Sequence, residues 1–164
     1  MIIRRARTGD VKGIRSLVDT YTTDRRLLSK ATVTLYESVQ EFWVAVDEDD
    51  AVIGCGALHV MWEDLAEIRT VAVDPSQRGR RIGHRIVAAL LDQARELGIR
   101  RVFCLTFETR FFGSFGFTEI DGAPVPHAVY EQLLRSYDEG VAEFLDLERV
   151  KPNTLGNKRM LLHL

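Results

Sequence analysis

Cysteine is scarce in this chain of 164 residues, which contains only Cys55 and Cys104. The two have no metal-ligand spacing and each lies inside an apolar run, so we expect buried, reduced thiols. The four histidines are scattered, and no two of them have the spacing of a metal-binding pair. The sequence therefore predicts no metal site.

Long apolar runs are also missing. No run approaches the roughly 18 residues that are needed to span a bilayer. The N-terminal segment MIIRRARTGD has too short an apolar part for a secretory signal. We therefore expect a cytoplasmic protein with no membrane partner.

The chain has no general excess of basic charge, since its net charge is −2 and its sequence pI is about 6.1. Four arginines are nevertheless close together, at Arg78, Arg80, Arg81 and Arg85, so the rest of the chain is acidic. A nucleic-acid-binding protein more often spreads its basic charge over a face or a tail. We therefore expect no nucleic-acid partner.

The hydrophobic pattern predicts strands and helices in alternation. With 164 residues of which 46% are hydrophobic, the chain is long enough for one core, so a single domain over residues 1–164 is expected. A hairpin pattern surrounds the acidic turn 47–50. Further on, two strands flank a helix with Ile82, Ile86, Leu90, Ala94 and Leu97 on one face, which indicates a parallel crossover. The predicted class is α/β (α+β), with a mixed central sheet flanked by helices.

One segment joins a strand to that long helix and is rich in arginine; we call residues 78–84 the arginine loop. Asp74 and Pro75 end the strand, and Gly79 and Gly83 frame the loop. A helix start exposes unpaired N–H groups and the positive end of the helix dipole, so we expect an anion, and in particular a diphosphate. The glycine spacing fits neither a dinucleotide fold nor a P-loop. The alternative is a helix start with a solvated basic edge.

The stretch IRTVAVDPSQRGRRIGHRIVAALLDQARELGIRRVFCLTF, followed by FFGSFGF, resembles the acetyl-CoA-binding core of the GNAT superfamily of N-acetyltransferases. The resemblance follows the order of elements from Ile2 to Ile120 and implies the GNAT fold with acetyl-CoA as co-substrate. The family motif Gln/Arg-x-x-Gly-x-Gly/Ala aligns with Arg78 at its first position and Gly83 at its last. Arg81 stands where glycine is usual, so its side chain either points away or contacts the pyrophosphate or the 3′-phosphate.

The resemblance also implies which residues bind the coenzyme. In the family the pantetheine arm lies along the strand before the motif and bonds to its backbone, here at Val71 and Val73. The expected set is Val71, Ala72, Val73, Arg78, Gly79, Arg80, Arg81, Ile82, Gly83 and His84.

Two residues are candidates for proton transfer. The period-two spacing of AEIRTVAV puts Glu67, Arg69 and Val71 on one face of the strand, where a carboxylate can take a proton from the substrate ammonium. The alternative for Glu67 is an exposed glutamate paired with Arg69. Many family members use a tyrosine as the acid for the departing thiolate, but this chain has Phe112 there. Thr106 or a water molecule is the next candidate, and an ordinary strand residue is the alternative for Thr106.

The segments DRRLLSKATVTLYESV and NKRMLLHL add a resemblance to amino-acid N-acetyltransferases of the N-acetylglutamate synthase type, which open arginine biosynthesis. It implies L-glutamate as the acceptor, with L-glutamine as a second candidate, and the α-amino group of the acceptor attacks the thioester of acetyl-CoA directly in a ternary complex. Both carboxylates of glutamate then need cations. The candidates, each of them otherwise a solvated surface cation, are Lys30, Arg26, Arg69, Lys158 and Arg159.

Two other functions stay open at this point. One is acetylation of another amine, such as a protein N-terminus, a polyamine or a small molecule. The other is a non-catalytic acyl-CoA-binding module, which Arg81 and Phe112 favour. Residues 126–147 are expected to be a helical extension, whose apolar residues, Leu134 and Tyr137 among them, belong to the core or to a homodimer interface. Many long relatives carry an additional amino-acid-kinase domain ahead of the acetyltransferase domain; with a single domain expected here, we expect no feedback by arginine through a kinase domain.

Overall fold

A computed structural model describes residues 1–22 and 31–164 of the chain. Strands and helices alternate through it. The strands are β1 (Ile2–Arg5), β2 (Phe42–Val46), β3 (Val52–Trp62), β4 (Leu65–Val73), β5 (Arg101–Thr106), β6 (Thr118–Glu119) and β7 (Lys158–His163). The helices are α1 (Val11–Thr22), α2 (Thr32–Glu37), α3 (Ile82–Leu97), α4 (Thr109–Gly113), α5 (His127–Leu133), α6 (Glu139–Phe144) and α7 (Lys151–Thr154).

The seven strands form one mixed sheet in the order β1-β2-β3-β4-β5-β7-β6. Strand β2 pairs antiparallel with β1 and with β3, whereas β4 and β5 are parallel and are connected through α3. Strand β7 pairs antiparallel with both β5 and β6, so the last strand of the chain lies inside the sheet. The predicted mixed sheet, with a hairpin and a parallel crossover, is confirmed.

The described residues divide into two compact units, and the first comprises Met1–His59 and Ile68–Glu96. Its core contains the apolar face of α1, which buries Val11, Ile14, Leu17 and Val18 at helical spacing. Strand β3 approaches α3 closely at two glycines. A Cβ atom on Gly54 or on Gly56 would lie only 2.8 Å from a methyl carbon of Ile82 or of Ile86, respectively.

Helix α3 buries its predicted face except at the last residue. The side chains of Ile82, Ile86, Leu90 and Ala94 are buried, but Leu97 is 54% exposed. Leu97 is the last residue of the helix and precedes Gly98, whose φ of +86° ends it. Leu97 therefore has the predicted spacing of that face but lies outside its buried part.

The second unit comprises Val60–Glu67 and Leu97–Leu164. In its core the rings of Phe103 and Phe144 meet edge to face, with centroids 5.1 Å apart. The extension 126–147 forms the two helices α5 and α6, which bury Leu133 and Val141.

Two apolar residues of the extension lie outside this core. Leu134 is 47% exposed and Tyr137 fully exposed. Of the two predicted alternatives, core or homodimer interface, their exposure excludes the core. The homodimer interface stays a prediction.

Among residues 1–22 and 31–164, every helix falls short of the length and apolarity that crossing a membrane requires. The single domain over residues 1–164 also stays a prediction.

Candidate active site

The end of β4 is held by hydrogen bonds within the first unit. The amide of Asp74 donates to the carbonyl of Ile53 at 2.9 Å, and the hydroxyl of Tyr21 in α1 donates to the carbonyl of Val73. The Asp74 carboxylate in turn accepts the N–H of Ser76 at 2.9 Å and caps the 3₁₀ turn that follows. These bonds therefore fix the position of the residues that lead into the arginine loop.

The backbone of the arginine loop passes twice through the left-handed region. Gly79 has a φ of +85° and Arg81 a φ of +58°, and α3 begins at the next residue, Ile82. The N–H of Arg85 donates to the carbonyl of Arg81 at 3.1 Å, which closes the first turn of the helix. Residues of positive and negative φ in alternation direct successive N–H groups toward one side and create an anion-binding concavity, which a helix N-terminus reinforces. The loop therefore fits a diphosphate.

Arginine side chains give this loop its positive charge. Arg78, Arg80 and Arg81 are all exposed. The chain contains no carboxylate between Asp74 and Asp92 that could neutralise them. Guanidinium groups bind phosphate oxygens in a bidentate manner, so the side chains suit the same ligand as the backbone.

Glu67 is buried in the second unit, with 4% of its surface exposed. It lies opposite Phe103 at the end of the parallel register between β4 and β5. Burial raises the pKa of the Cys104 thiol on β5, and the negative charge of Glu67 raises it further. Glu67 is therefore not the exposed surface glutamate of the alternative interpretation. Its role in proton transfer stays a prediction, although buried carboxylates are common at catalytic sites.

Thr106 ends β5 and is 9% exposed. Its Oγ1 accepts the N–H of Glu108 at 2.8 Å, which fixes the oxygen and leaves the hydroxyl proton available for donation. Phe112, at the position where the family often has tyrosine, is buried against Phe117 with ring centroids 5.4 Å apart. Phe112 is a core residue, and Thr106 stays the predicted acid.

Part of the predicted amino-acid-binding set lies in the described residues. Arg26 and Lys30 lie outside them. Lys158 is exposed at the start of β7 and pairs in register with Thr106, so the fold brings these two predicted residues together. Arg69 is half-buried in β4 of the first unit.

Arg159 binds backbone carbonyls of the second unit. Its Nη1 donates to Glu143 at 2.6 Å, and its Nη2 donates to Gly122 at 2.7 Å and to Phe144 at 2.5 Å. The guanidinium carbon lies 5.1 Å from the ring centroid of Phe103, and burial lowers the pKa of the side chain. Within the described part of the chain the buried Nε has no acceptor. Arg159 thus stabilises the fold, and substrate binding by it stays a prediction.

Sequence reasoning missed two side chains that hold β4. The Cys55 thiol donates to the carbonyl of Thr70 at 3.4 Å, and the Tyr21 hydroxyl donates to that of Val73. The apolar run around Cys55 indicated only a buried thiol. Neither bond has a local sequence signal, because each joins β4 to a side chain of a different element.

In the part of the chain that the structure describes, no group of three or more His, Cys, Asp and Glu residues is arranged to hold a metal ion.

A mixed sheet whose parallel crossover carries an anion-binding loop at the start of its helix is typical of N-acyltransferases that use acyl-CoA. The chain belongs to the acetyltransferase (GNAT) family, whose profile matches residues 13–117. This confirms the family resemblance of the sequence.

Individual relatives share more than the family core. An amino-acid acetyltransferase of Mycobacterium tuberculosis is 63% identical over 163 residues, which cover 98% of this chain and 93% of the relative. A solved Mycobacterium tuberculosis structure in complex with CoA and NLQ has 62% identity and a TM-score of 0.96, and the match covers 100% of this chain and 99% of that one. An amino-acid acetyltransferase of Vibrio cholerae is 33% identical over 128 residues, which cover 77% of this chain but 28% of that relative.

Proposed function

We propose that the protein transfers an acetyl group from acetyl-CoA to the α-amino group of an L-amino acid, L-glutamate or L-glutamine, the first step of arginine biosynthesis. The observation that carries the proposal is 63% identity to an amino-acid acetyltransferase over 98% of this chain. The geometry of the arginine loop supports it independently, since the loop has the backbone and the charge of a diphosphate site.

Residues of the first unit would hold the co-substrate. The arginine loop would bind the diphosphate through its N–H groups and its arginine side chains, and the backbone of Val71 and Val73 would bond the pantetheine arm. Acetyl-CoA supplies the acetyl group as a thioester. In this proposal the guanidinium of Arg81 contacts a phosphate group, because a nearby cation stabilises a doubly charged anion.

Two residues of the second unit would move protons. An amine attacks a thioester only in its neutral form, so Glu67 accepts the ammonium proton directly or through a water molecule. Thr106 donates a hydrogen bond from its hydroxyl to the sulfur that leaves. Direct attack is favoured because no covalent nucleophile is present at a recognisable motif.

Cations would select the amino acid. The α-carboxylate and the side chain of glutamate both require hydrogen-bond donors, and charge-assisted bonds are the strong ones. Lys158 is an exposed candidate beside Thr106 in the β5–β7 register. Arg69 and the residues Arg26 and Lys30 complete the proposed set.

Thiol release from acetyl-CoA with a panel of L-amino acids, polyamines and N-terminal peptides tests the proposal. We expect turnover of L-glutamate or L-glutamine, and Lys158→Ala should raise the KM for the amino acid. Lys12→Ala, which removes an exposed lysine of α1, serves as the matched control. Turnover of another amine with indifference to both amino acids would remove the substrate proposal. Coenzyme binding without turnover of any amine would favour a non-catalytic module.

The cytoplasmic location, the homodimer and the lack of nucleic-acid and membrane partners stay predictions that accompany this proposal.

A further inference from the structure

Strand β4 contains one residue in a disfavoured conformation. Thr70 has a φ of +58° and is 7% exposed. Left-handed backbone is a genuine outlier for a β-branched residue, and it persists only where the surrounding structure holds it. The hydrogen bonds of the peptide groups around Thr70 show which atoms hold this conformation.

A single sulfur atom bonds the two peptide groups that flank Val71. The thiol of Cys55 donates to the carbonyl of Thr70, with 3.4 Å between Sγ and O, and the amide of Ala72 donates to the same sulfur. Burial raises the pKa of Cys55 to about 12. The sulfur therefore keeps its proton at neutral pH and can act as donor and acceptor together.

These two bonds determine where the backbone of Val71 points. The Thr70 carbonyl and the Val71 amide belong to one planar trans peptide group, so they point in opposite directions. The same holds for the Val71 carbonyl and the Ala72 amide. Because Cys55 binds the Thr70 carbonyl and the Ala72 amide, the N–H and C=O of Val71 both point away from Cys55. An extended ligand that bonds along a strand needs both groups of one residue on the same side.

Cys55 itself has a fixed position. It is fully buried and lies opposite Val44 of β2. Its neighbours Gly54 and Gly56 allow α3 to pack directly on β3, which fixes the strand from its other face.

We propose that Cys55 is a positioning residue for the coenzyme, whose thiol directs the N–H and C=O of Val71 toward the pantetheine arm. The inference rests on the proposed function, since it assigns Val71 to that arm. It extends the coenzyme site to a fully buried residue outside the expected coenzyme-binding set.

Cys55→Ala, which removes both sulfur bonds, tests this role. We expect the calorimetric Kd for coenzyme A to rise about fivefold, the effect of roughly one net hydrogen bond. The Kd of the nucleotide half, 3′-phosphoadenosine 5′-diphosphate, should not change, because the arginine loop alone binds it. Cys55→Ser keeps a donor and an acceptor of similar size and should bind coenzyme A nearly as well as the wild type.

Val18→Ala is the matched control, because Val18 lies in the same core cluster and is 1% exposed. It should lower thermal stability and leave both Kd values unchanged. The inference is overturned if Cys55→Ala binds coenzyme A like the wild type, or if the substitution raises the Kd of both ligands by the same factor. It is also overturned if Cys55→Ser binds as poorly as Cys55→Ala.

A spectroscopic measurement does not depend on the folding of the alanine variant. The S–H stretching band of Cys55, assigned by its loss in Cys55→Ser, should lie at the lower frequency of a hydrogen-bonded thiol in Raman spectra of the wild type. The frequency of a free thiol would overturn the inference. Wild-type protein that does not bind coenzyme A would instead refute the proposed function, so the two failures are distinguishable.

Discussion

Substitution of Arg81 by glycine should stabilise the protein and weaken coenzyme binding at the same time. Arg81 has a φ of +58°, a conformation that costs a side-chain-bearing residue about 1–2 kcal/mol. Glycine avoids this cost but loses about 0.5–1 kcal/mol through its more flexible unfolded chain. The difference predicts a free energy of unfolding about 0.5–1 kcal/mol higher in Arg81→Gly. For a chain of this size that corresponds to a rise in Tm of about 1–4 °C.

The same substitution removes one cation from the arginine loop. Arg81 is exposed, so solvent and salt screen its attraction to a phosphate. An exposed charge pair contributes on the order of 0.2–1 kcal/mol. We therefore expect the Kd for coenzyme A to rise about two- to fivefold at low salt, with a smaller difference at high salt.

Thermal unfolding and calorimetric titration of two more variants separate the two effects. Arg81→Ala removes the charge but keeps the left-handed strain, so it should weaken binding like glycine without the gain in stability. Arg95→Ala, which removes an exposed arginine of the last turn of α3 and its ion pair with Asp92, should leave the coenzyme affinity unchanged. Glycine at position 81 that is no more stable than alanine would refute the strain explanation. Unchanged coenzyme affinity in Arg81→Gly and in Arg81→Ala would refute the contact between Arg81 and a phosphate group.

Three further predictions concern other residues. Glu67→Gln should keep its coenzyme affinity but lose about 10²- to 10⁴-fold in kcat, since no carboxylate accepts the ammonium proton; wild-type kcat would contradict this role. Asp10 accepts hydrogen bonds from the Arg4 guanidinium at 2.7 and 3.1 Å, which lower its pKa. The stability that ionised Asp10 adds is fully present above the unfolded pKa of about 3.9 and is lost as pH falls through the folded pKa. The free energies of unfolding of the wild type and of Asp10→Asn, measured with denaturant, should therefore converge in acid. A stability gap that persists in acid would contradict the pairing. Arg159→Ala should lower the free energy of unfolding by about 2–4 kcal/mol and Arg159→Lys should restore little of it, because three carbonyls accept from the guanidinium; full recovery with lysine would contradict that.

Much of the fold was predictable because its elements have strong local patterns. Helical spacing identified the apolar face of α3, and the acidic turn 47–50 marked the β2–β3 hairpin. The place of β7 between β5 and β6 was not predictable, since pairing partners far apart in the chain leave no local pattern. The exposure of Leu97 was missed because periodicity does not show where a helix extends beyond the core.

The site was predictable only where it lies on contiguous residues. The glycines and arginines of residues 78–84 indicated an anion site, and the structure gives that loop a suitable backbone. The left-handed Thr70 and its bond from Cys55 had no signal, because a β-branched residue in an apolar strand predicts an extended backbone. The carbonyl bonds of Arg159 were equally hidden, since they depend on where α6 lies in the second unit.

The central claim is that the arginine loop binds the diphosphate of acetyl-CoA. Calorimetric titration with coenzyme A and with pantetheine, which lacks the diphosphate and the nucleotide, tests it most directly. We predict that coenzyme A binds, that its affinity falls as salt is added, and that pantetheine binds far more weakly. Equal affinity for the two ligands, or no affinity for coenzyme A, would contradict it.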